Sequence, residues 1–244
     1  LEMAIPPSSF FAGWDPAFAV IELPYMYASK EIAFDVLESE AGDSMIDRVE
    51  NQGLVGLGWL ELGVRNVTNN VRPISTPADL EGVKLRTMQV PAHVATFEAL
   101  GANPTPMNFG EVYSALQQGV IDGQENPLSV IVSVKLNEVQ KYLTLSGHVY
   151  SPAMLLVSKP FWDGLDDDQK AAMEKAATEA AAAMRGYVDN VETSGVETLK
   201  ERGMEVNALS AEEKAAFQAS IKSAYEGYYD TYGQELVDSI VNFE

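Results

Sequence analysis

The sequence predicts an α/β fold, and three observations carry that prediction. Between Gly82 and Pro127, strand-like and helix-like stretches alternate, which is the pattern of a sheet flanked by helices with parallel pairing. Leu54 to Leu60 is short and apolar on both faces, as a buried parallel strand should be. From Asp166 to about Arg202, apolar residues recur every three or four positions, which describes one long helix.

Taken in order, Leu1 to Ile5 reads as a strand and is followed by a proline-rich turn; Pro16 to Pro24 is an apolar segment broken at both ends by proline. Helices are expected over about Lys30 to Leu37 and Gly42 to Gln52, the second stopped by Gly53. The glycines of Leu54 to Leu60 do not have G-x-G-x-x-G spacing and no phosphate-binding lysine follows, which excludes a nucleotide loop. Asn66-Val67-Thr68 is formally a glycosylation sequon and is read as accidental. Asn69 to Pro73 forms a loop, and Thr76-Pro77-Ala78-Asp79 starts a short helix that Gly82 ends.

Alternation over Val83 to Met88 puts Val83, Leu85 and Thr87 on one face and Lys84, Arg86 and Met88 on the other. Arg86 thus projects from near a strand end, the place where open α/β sheets bind ligands. Pro91 opens a helix that turns Val94, Phe97 and Leu100 toward the core, Gly101 closes it, and a short strand runs to Met107. Asn108, three residues before Glu111, comes close to a capping box for a second helix with the stripe Val112, Ala115, Leu116 and the stop Gly119. Phe109 is held at the mouth of that helix, and a turn ends at Asn126-Pro127.

A helix is expected over Pro127 to Leu136, then two separate strands, Tyr142 to Leu145 and Ala153 to Val157. The long helix should bury Met173, Ala177, Ala180, Met184, Tyr187, Val191, Gly195 and Leu199, and at 1.5 Å per residue its length of about 55 Å suits a brace along one side of the molecule. Met204 to Val206 adds a strand, and Ser210 with Glu213 makes a capping box. Tyr225, Tyr228, Tyr229 and Tyr232 cluster before a final helix over Leu236 to Phe243.

The chain of 244 residues carries 16 basic and 36 acidic side chains, a net charge of −20. That disfavours nucleic acid and anionic membranes as partners. Cysteine is absent, so no disulfide or thiolate metal site is possible. No run of 18 apolar residues suggests a membrane span, and LEMAIPPSSF has no basic leader region.

Only six arginines occur, and Arg65, Arg72 and Arg86 fall within 22 residues. A guanidinium can hold a carboxylate through two parallel charge-assisted hydrogen bonds; the plainer reading of any one arginine is a surface or stabilising ion pair. Trp59, in an apolar strand, has core burial as its ordinary fate. Glu111 could accept from a ligand hydroxyl or simply serve its helix N-terminus. His93 and His148 have no partners at metal-ligand spacing and read as structural. No G-x-S-x-G, P-loop, H-E-x-x-H or cysteine nucleophile is present, and Asp166-Asp167-Asp168 is explained by the helix N-terminus it occupies.

The run Gly82-Val-Lys-Leu-Arg86, then Ala99-Leu-Gly-Ala-Asn-Pro-Thr-Pro-Met107, Phe109-Gly-Glu-Val-Tyr-Ser-Ala-Leu-Gln-Gln-Gly119 and Val120-Ile-Asp-Gly-Gln-Glu-Asn-Pro127 resembles the solute-binding proteins of tripartite ATP-independent periplasmic (TRAP) transporters. The resemblance runs from about residue 1 to 244. It implies a bilobed α/β fold, with lobe I formed by 1–63 and about 152–191 and lobe II by 64–151 and about 192–244. It implies a periplasmic, monomeric receptor that needs no cofactor and hands an organic acid, either a C4-dicarboxylate or a sugar acid such as a uronate, to the membrane subunits of an importer. By the same resemblance Arg86 grips the ligand carboxylate, Arg65 reaches the same ligand, Asn126 makes a polar contact and Phe109 walls the pocket. Gln124 and Glu125 would hold Arg86 or the turn, and Trp59 and Glu111 are further candidates. Glu111 and the polar loop near Asn66 favour a hydroxylated ligand. Against the family pattern, roughly a quarter of a usual mature chain is expected ahead of Leu1. Two other readings share the scaffold: a sensing module of a signalling receptor, and a lyase acting on acidic sugars.

Overall fold

Two long strands organise the molecule. The computed structural model describes residues 1–241. In chain order its elements are β1 (Met3–Ala4), α1 (Ala17–Val20), α2 (Lys30–Leu37), α3 (Glu40–Asp47), β2 (Leu54–Asn69), β3 (Lys84–Thr87) and α4 (Pro91–Ala99). These are followed by β4 (Asn103–Pro106), α5 (Phe109–Gln117), β5 (Gly123–Pro127), α6 (Leu128–Ser133), β6 (Tyr142–Ser158) and α7 (Lys159–Asp163). The chain closes with α8 (Asp167–Glu201), β7 (Glu205–Ala208), α9 (Ala211–Ser220), α10 (Lys222–Tyr232) and α11 (Gln234–Val241).

The described strands form one sheet in the order β1-β6-β2-β5-β3-β4, with β7 also on β6. Pairing is parallel between β3 and β4, β3 and β5, and β6 and β7, as the alternating pattern predicts. The central pair departs from expectation. β2 runs antiparallel to β6 over its whole length, and within it Leu54 to Gly58 are half-buried while Trp59 and Leu60 are buried, so the expected buried parallel strand is antiparallel and only partly covered. A run apolar on both faces does not distinguish the two ladders.

β6 is continuous over 17 residues where the sequence suggests two strands. Its midpoint glycine adopts φ +55°, and the ladder with β2 shifts register between Arg65 and Val67. A bulge absorbs the irregularity without ending the strand. Residues 123–127, expected as a turn, form β5 instead, because this segment pairs with β2 on one side and β3 on the other. A Cβ on Gly123 would lie 2.3 Å from the Thr68 carbonyl oxygen, so only glycine lets β5 approach there.

Helix ends follow the local chemistry. The Asp166 side chain accepts from the Gln169 amide and Gln169 returns the bond, closing a capping box at the start of α8. Ser210 and Glu213 do the same for α9. Asn108 precedes α5 without a side-chain cap, so the expected near-box there does not form. The second early helix is shorter than expected, Glu40–Asp47 continued by a 3-10 turn to Gln52. The buried stripe of α8 is Ala177, Val188, Val191, Gly195 and Leu199; the sequence choice of Ala180 and Tyr187 is off by one position, and Tyr187 lies 48% exposed. The last helix covers 234–241, so the expected end at Phe243 falls outside the described residues.

Four apolar cores flank the sheet among the described residues, the smallest made of Leu60, Ala153, Leu155 and Ala177. One gathers Phe18, Ile21, Leu37, Val49, Trp59 and Met154, another Leu80, Leu85, Phe97 and Ile221, and a third Val112, Leu116, Ile131, Leu143 and Leu199. Each such side chain contributes roughly 1.5–3 kcal/mol on full burial, and together they hold β3 and β5 rigidly beside the bulged centre of β2.

Candidate functional site

Register brings the candidate residues together. Arg86 on β3 stands opposite Gln124 on β5, and Asn126 on β5 stands opposite Asn66 on β2, one residue from Arg65. Arg65, Arg86, Asn126 and Phe109 all line one cavity of about 310 Å³. A second cavity of about 270 Å³ shares Arg86 and Phe109 and is completed by Gln89 and Asn108 among others. Phe10, from the 3-10 turn Ser8–Phe11, lines both.

The two arginines are in opposite situations. Arg65 is 1% exposed. Its Nε donates to Glu125 Oε2 at 2.5 Å, and its Nη2 donates to Glu125 Oε1 at 2.8 Å, to the Glu125 carbonyl at 2.7 Å and to Asn126 Oδ1 at 3.2 Å. Nη1 donates to Ser151 Oγ at 3.3 Å. Burial opposes ionisation of Glu125, but the Arg65 charge and hydrogen bonds from His148 and Arg65 outweigh it, so its carboxyl stays well below the usual range. The Arg65 charge is therefore matched inside the protein.

Arg86 has no carboxylate partner among the described residues. Its Nε and Nη2 both donate to the Met107 carbonyl, at 3.0 and 2.7 Å. Both bonds use one edge of the fork, which leaves the Nη1/Nη2 edge without a protein acceptor. Burial pushes its pKa down to about 10, with Glu125 opposing this, so the guanidinium is still charged at neutral pH. The Phe109 ring lies 5.9 Å from its Cζ, within cation–π reach. An anion entering the cavity meets a preset, desolvated cation with a planar pair of donors.

The polar surroundings are a connected network. His148 Nε2 lies 3.1 Å from Glu125 Oε2, and His148 Nδ1 lies 2.8 Å from Ser146 Oγ. Ser151 Oγ passes from Arg65 to Glu22 Oε2 at 3.2 Å, and Glu22 Oε1 accepts from Ser8 Oγ and the Ser9 amide at 2.6 and 2.8 Å. The segment bearing Phe10 is thus tied to the Arg65 centre. Burial raises the Glu22 pKa against those bonds. His93, whose Nε2 lies 3.3 Å from the Glu22 carbonyl, is pushed by burial down to about 4.

Several sequence expectations are corrected here. Glu125 holds Arg65, while the Met107 carbonyl holds Arg86. Gln124 bonds Thr68 and Asn126. Trp59 packs in the core and donates from Nε1 to the Gly42 carbonyl at 3.1 Å, away from the cavity. Glu111 is exposed on the first turn of α5 and does not line either cavity; helix phase, which sequence spacing does not relate to the cleft, decides this. Asn66 is buried and turned to its own backbone, donating to the Val64 carbonyl and accepting from the Gly147 amide. Sequence reasoning missed Phe10, whose one available signal was an aromatic pair directly after a proline-rich turn.

Comparisons with known proteins bear on the family and the fold. The chain is 38% identical over 206 residues to the 2,3-diketo-L-gulonate-binding periplasmic protein YiaO of Escherichia coli, covering 84% of this chain and 63% of that protein. It is 35% identical over 224 residues to the C4-dicarboxylate-binding periplasmic protein DctP of Rhodobacter capsulatus, covering 91% and 67%. A TRAP periplasmic solute-binding protein from Bordetella bronchispeptica, with density assigned to pantoate, superposes with a TM-score of 0.95 at 44% identity over 100% of this chain and 80% of that one. The α/β fold is therefore the bilobed fold of these binding proteins. Residues 1–231 match the family described as bacterial extracellular solute-binding protein, family 7, and the chain belongs to that family.

Proposed function

We propose that this chain captures a small organic acid anion in the cleft beside Arg86 and delivers it to the membrane subunits of a TRAP-type importer in the periplasm. The observation that carries the reading is the free Nη1/Nη2 edge of Arg86, fixed by the Met107 carbonyl and open to a cavity. In this reading Arg86 takes the ligand carboxylate, Phe109 walls it, and Asn126 contributes a polar contact. Arg65 sets the local field and holds Asn126 in place. The ligand classes named for relatives, a sugar acid, a C4-dicarboxylate and pantoate, all carry the carboxylate this site requires.

The lobes divide as 1–63 with about 152–191, and 64–151 with about 192–244, crossed by β2 and β6. Phe10 and Phe109 then face the ligand from opposite lobes. A ligand that touches both favours closure by its differential affinity for the closed state, and the closed cleft excludes water around the ion pair. The protein acts as a monomer and performs no chemistry on its ligand. The test is calorimetric titration of the protein and of Arg86→Ala with a panel of organic acids. Binding that disappears in the variant supports the site, and equal affinity in both refutes it.

A further inference from the structure

An irregularity in β2 sets up a cavity apart from the cleft. In an unbroken strand residues 61 and 65 share a face, yet the register with β6 shifts between Glu61 and Gly63. Such a shift re-aims the side chains around it. Leu62 and Arg65 line the cavity beside Arg86, while Glu61 is turned into a separate cavity of about 180 Å³, lined otherwise from α2 and α8.

Glu61 is 3% exposed, and its carboxyl makes no hydrogen bond or ion pair among the described residues. The cations beside it are already committed. Lys30 Nζ donates to Asp189 Oδ1 at 2.5 Å and to Glu192 Oε2 at 2.6 Å. Arg185 Nη2 donates to Glu38 Oε1 at 3.0 Å, and its guanidinium lies on Phe34, with Cζ 3.2 Å from the ring centre. Lys30 is thus shared between two carboxylates, and Arg185 is balanced by one. Glu31 and Asp35, exposed on α2, line the same cavity. Negative charge is therefore in surplus there before Glu61 is counted. Tyr150 of β6, the remaining titratable neighbour, is kept protonated by burial.

A buried carboxyl that faces a cavity and lacks a partner is a place for a cation. No three carboxylates or histidines converge at metal-ligand spacing among the described residues, which leaves a cation that binds by donating hydrogen bonds. We infer that this cavity takes a primary alkylammonium, its NH3 group donating to Glu61 and its short chain lying against the aliphatic stems of Lys30 and Arg185. Glu31 and Asp35 at the rim draw the cation in. The site is separate from the carboxylate clamp and gives the protein a second ligand of opposite charge. A proton competes for the same place: burial raises the Glu61 carboxyl to about 7, with Lys30 opposing. The cation therefore displaces a proton and binds better as pH rises through that value.

The experiment is calorimetry on the protein with ethylammonium chloride at pH 8 and at pH 6, at constant ionic strength, set against potassium chloride and tetramethylammonium chloride. Ethylammonium, charged at both pH values, is expected to saturate one site at pH 8 and to bind about tenfold weaker at pH 6, the change in the ionised fraction of a group titrating near 7. Glu61→Gln keeps the shape and removes the charge. It should weaken ethylammonium at least tenfold, as a charge-assisted hydrogen bond is lost, and remove the pH dependence. Arg86→Ala should bind ethylammonium as the parent does, whatever its response to organic acids, so the two sites fail separately. Potassium or tetramethylammonium binding as tightly as ethylammonium overturns the ammonium class, since neither donates a hydrogen bond. No saturable heat from ethylammonium at pH 8, or equal affinity in the parent and Glu61→Gln, overturns the site.

Discussion

Arg65 and Arg86 lie on neighbouring parts of one sheet, line the same cavity and are both almost fully buried, yet they do different work. Arg65 spends its donors on Glu125, Asn126 and Ser151. Arg86 spends one edge on a single carbonyl and keeps the other open. What separates a structural arginine from a binding one here is the inventory of acceptors around it, since residue type and burial are the same. A buried cation with an unfilled edge is tolerable only where an anion or water can reach it.

That contrast can be broken most directly through stability. Arg65→Met leaves Glu125 buried without its partner and is expected to cost about 3–5 kcal/mol in urea unfolding, whereas Arg86→Met should stay within about 1 kcal/mol of the parent. Equal losses would mean that both arginines are structural. Next in size, Arg86→Ala should weaken the cognate acid at least hundredfold, ~2.7 kcal/mol, as two charge-assisted hydrogen bonds vanish. Arg86→Lys keeps the charge but not the planar fork, and a loss of about tenfold is expected; parent-like affinity would show that charge alone suffices.

A further prediction concerns another buried carboxyl. Glu61 is 3% exposed and its carboxyl makes no hydrogen bond among the described residues, with Lys30, Arg185, Asp189 and Glu192 as its charged neighbours. Burial raises its pKa to about 7. The folded state therefore binds more protons than the unfolded one between about pH 4.5 and 7, and stability falls as pH rises through that window. Glu61→Gln removes the penalty, so its melting temperature relative to the parent should be higher at pH 8 than at pH 5. A difference that does not change with pH would show that Glu61 titrates normally.

The long helix starting at Asp166, the stops at Gly101 and Gly119, and the strand carrying Arg86 were all legible, because capping and periodicity act within a few residues. The β5 segment was read as a turn and β6 as two strands because their identity comes from ladder partners far along the chain. The same holds within the site. Arg86 could be placed from its strand, but whether Glu125 would serve Arg86 or Arg65 depended on which side of the sheet Glu125 projects from, which the register of β5 with β2 and β3 sets.

The sequence by itself determined the alternation of helices and strands, the family and the position of one arginine at a strand end, since these follow from local pattern and motif. The tertiary structure alone decided that Arg65 is neutralised, that Trp59 and Glu111 stand apart from the cleft and that Phe10 enters it. The physical reason is that a side chain's chemistry is set by its unpaired donors and acceptors, and most pairings in this site join residues more than 20 positions apart.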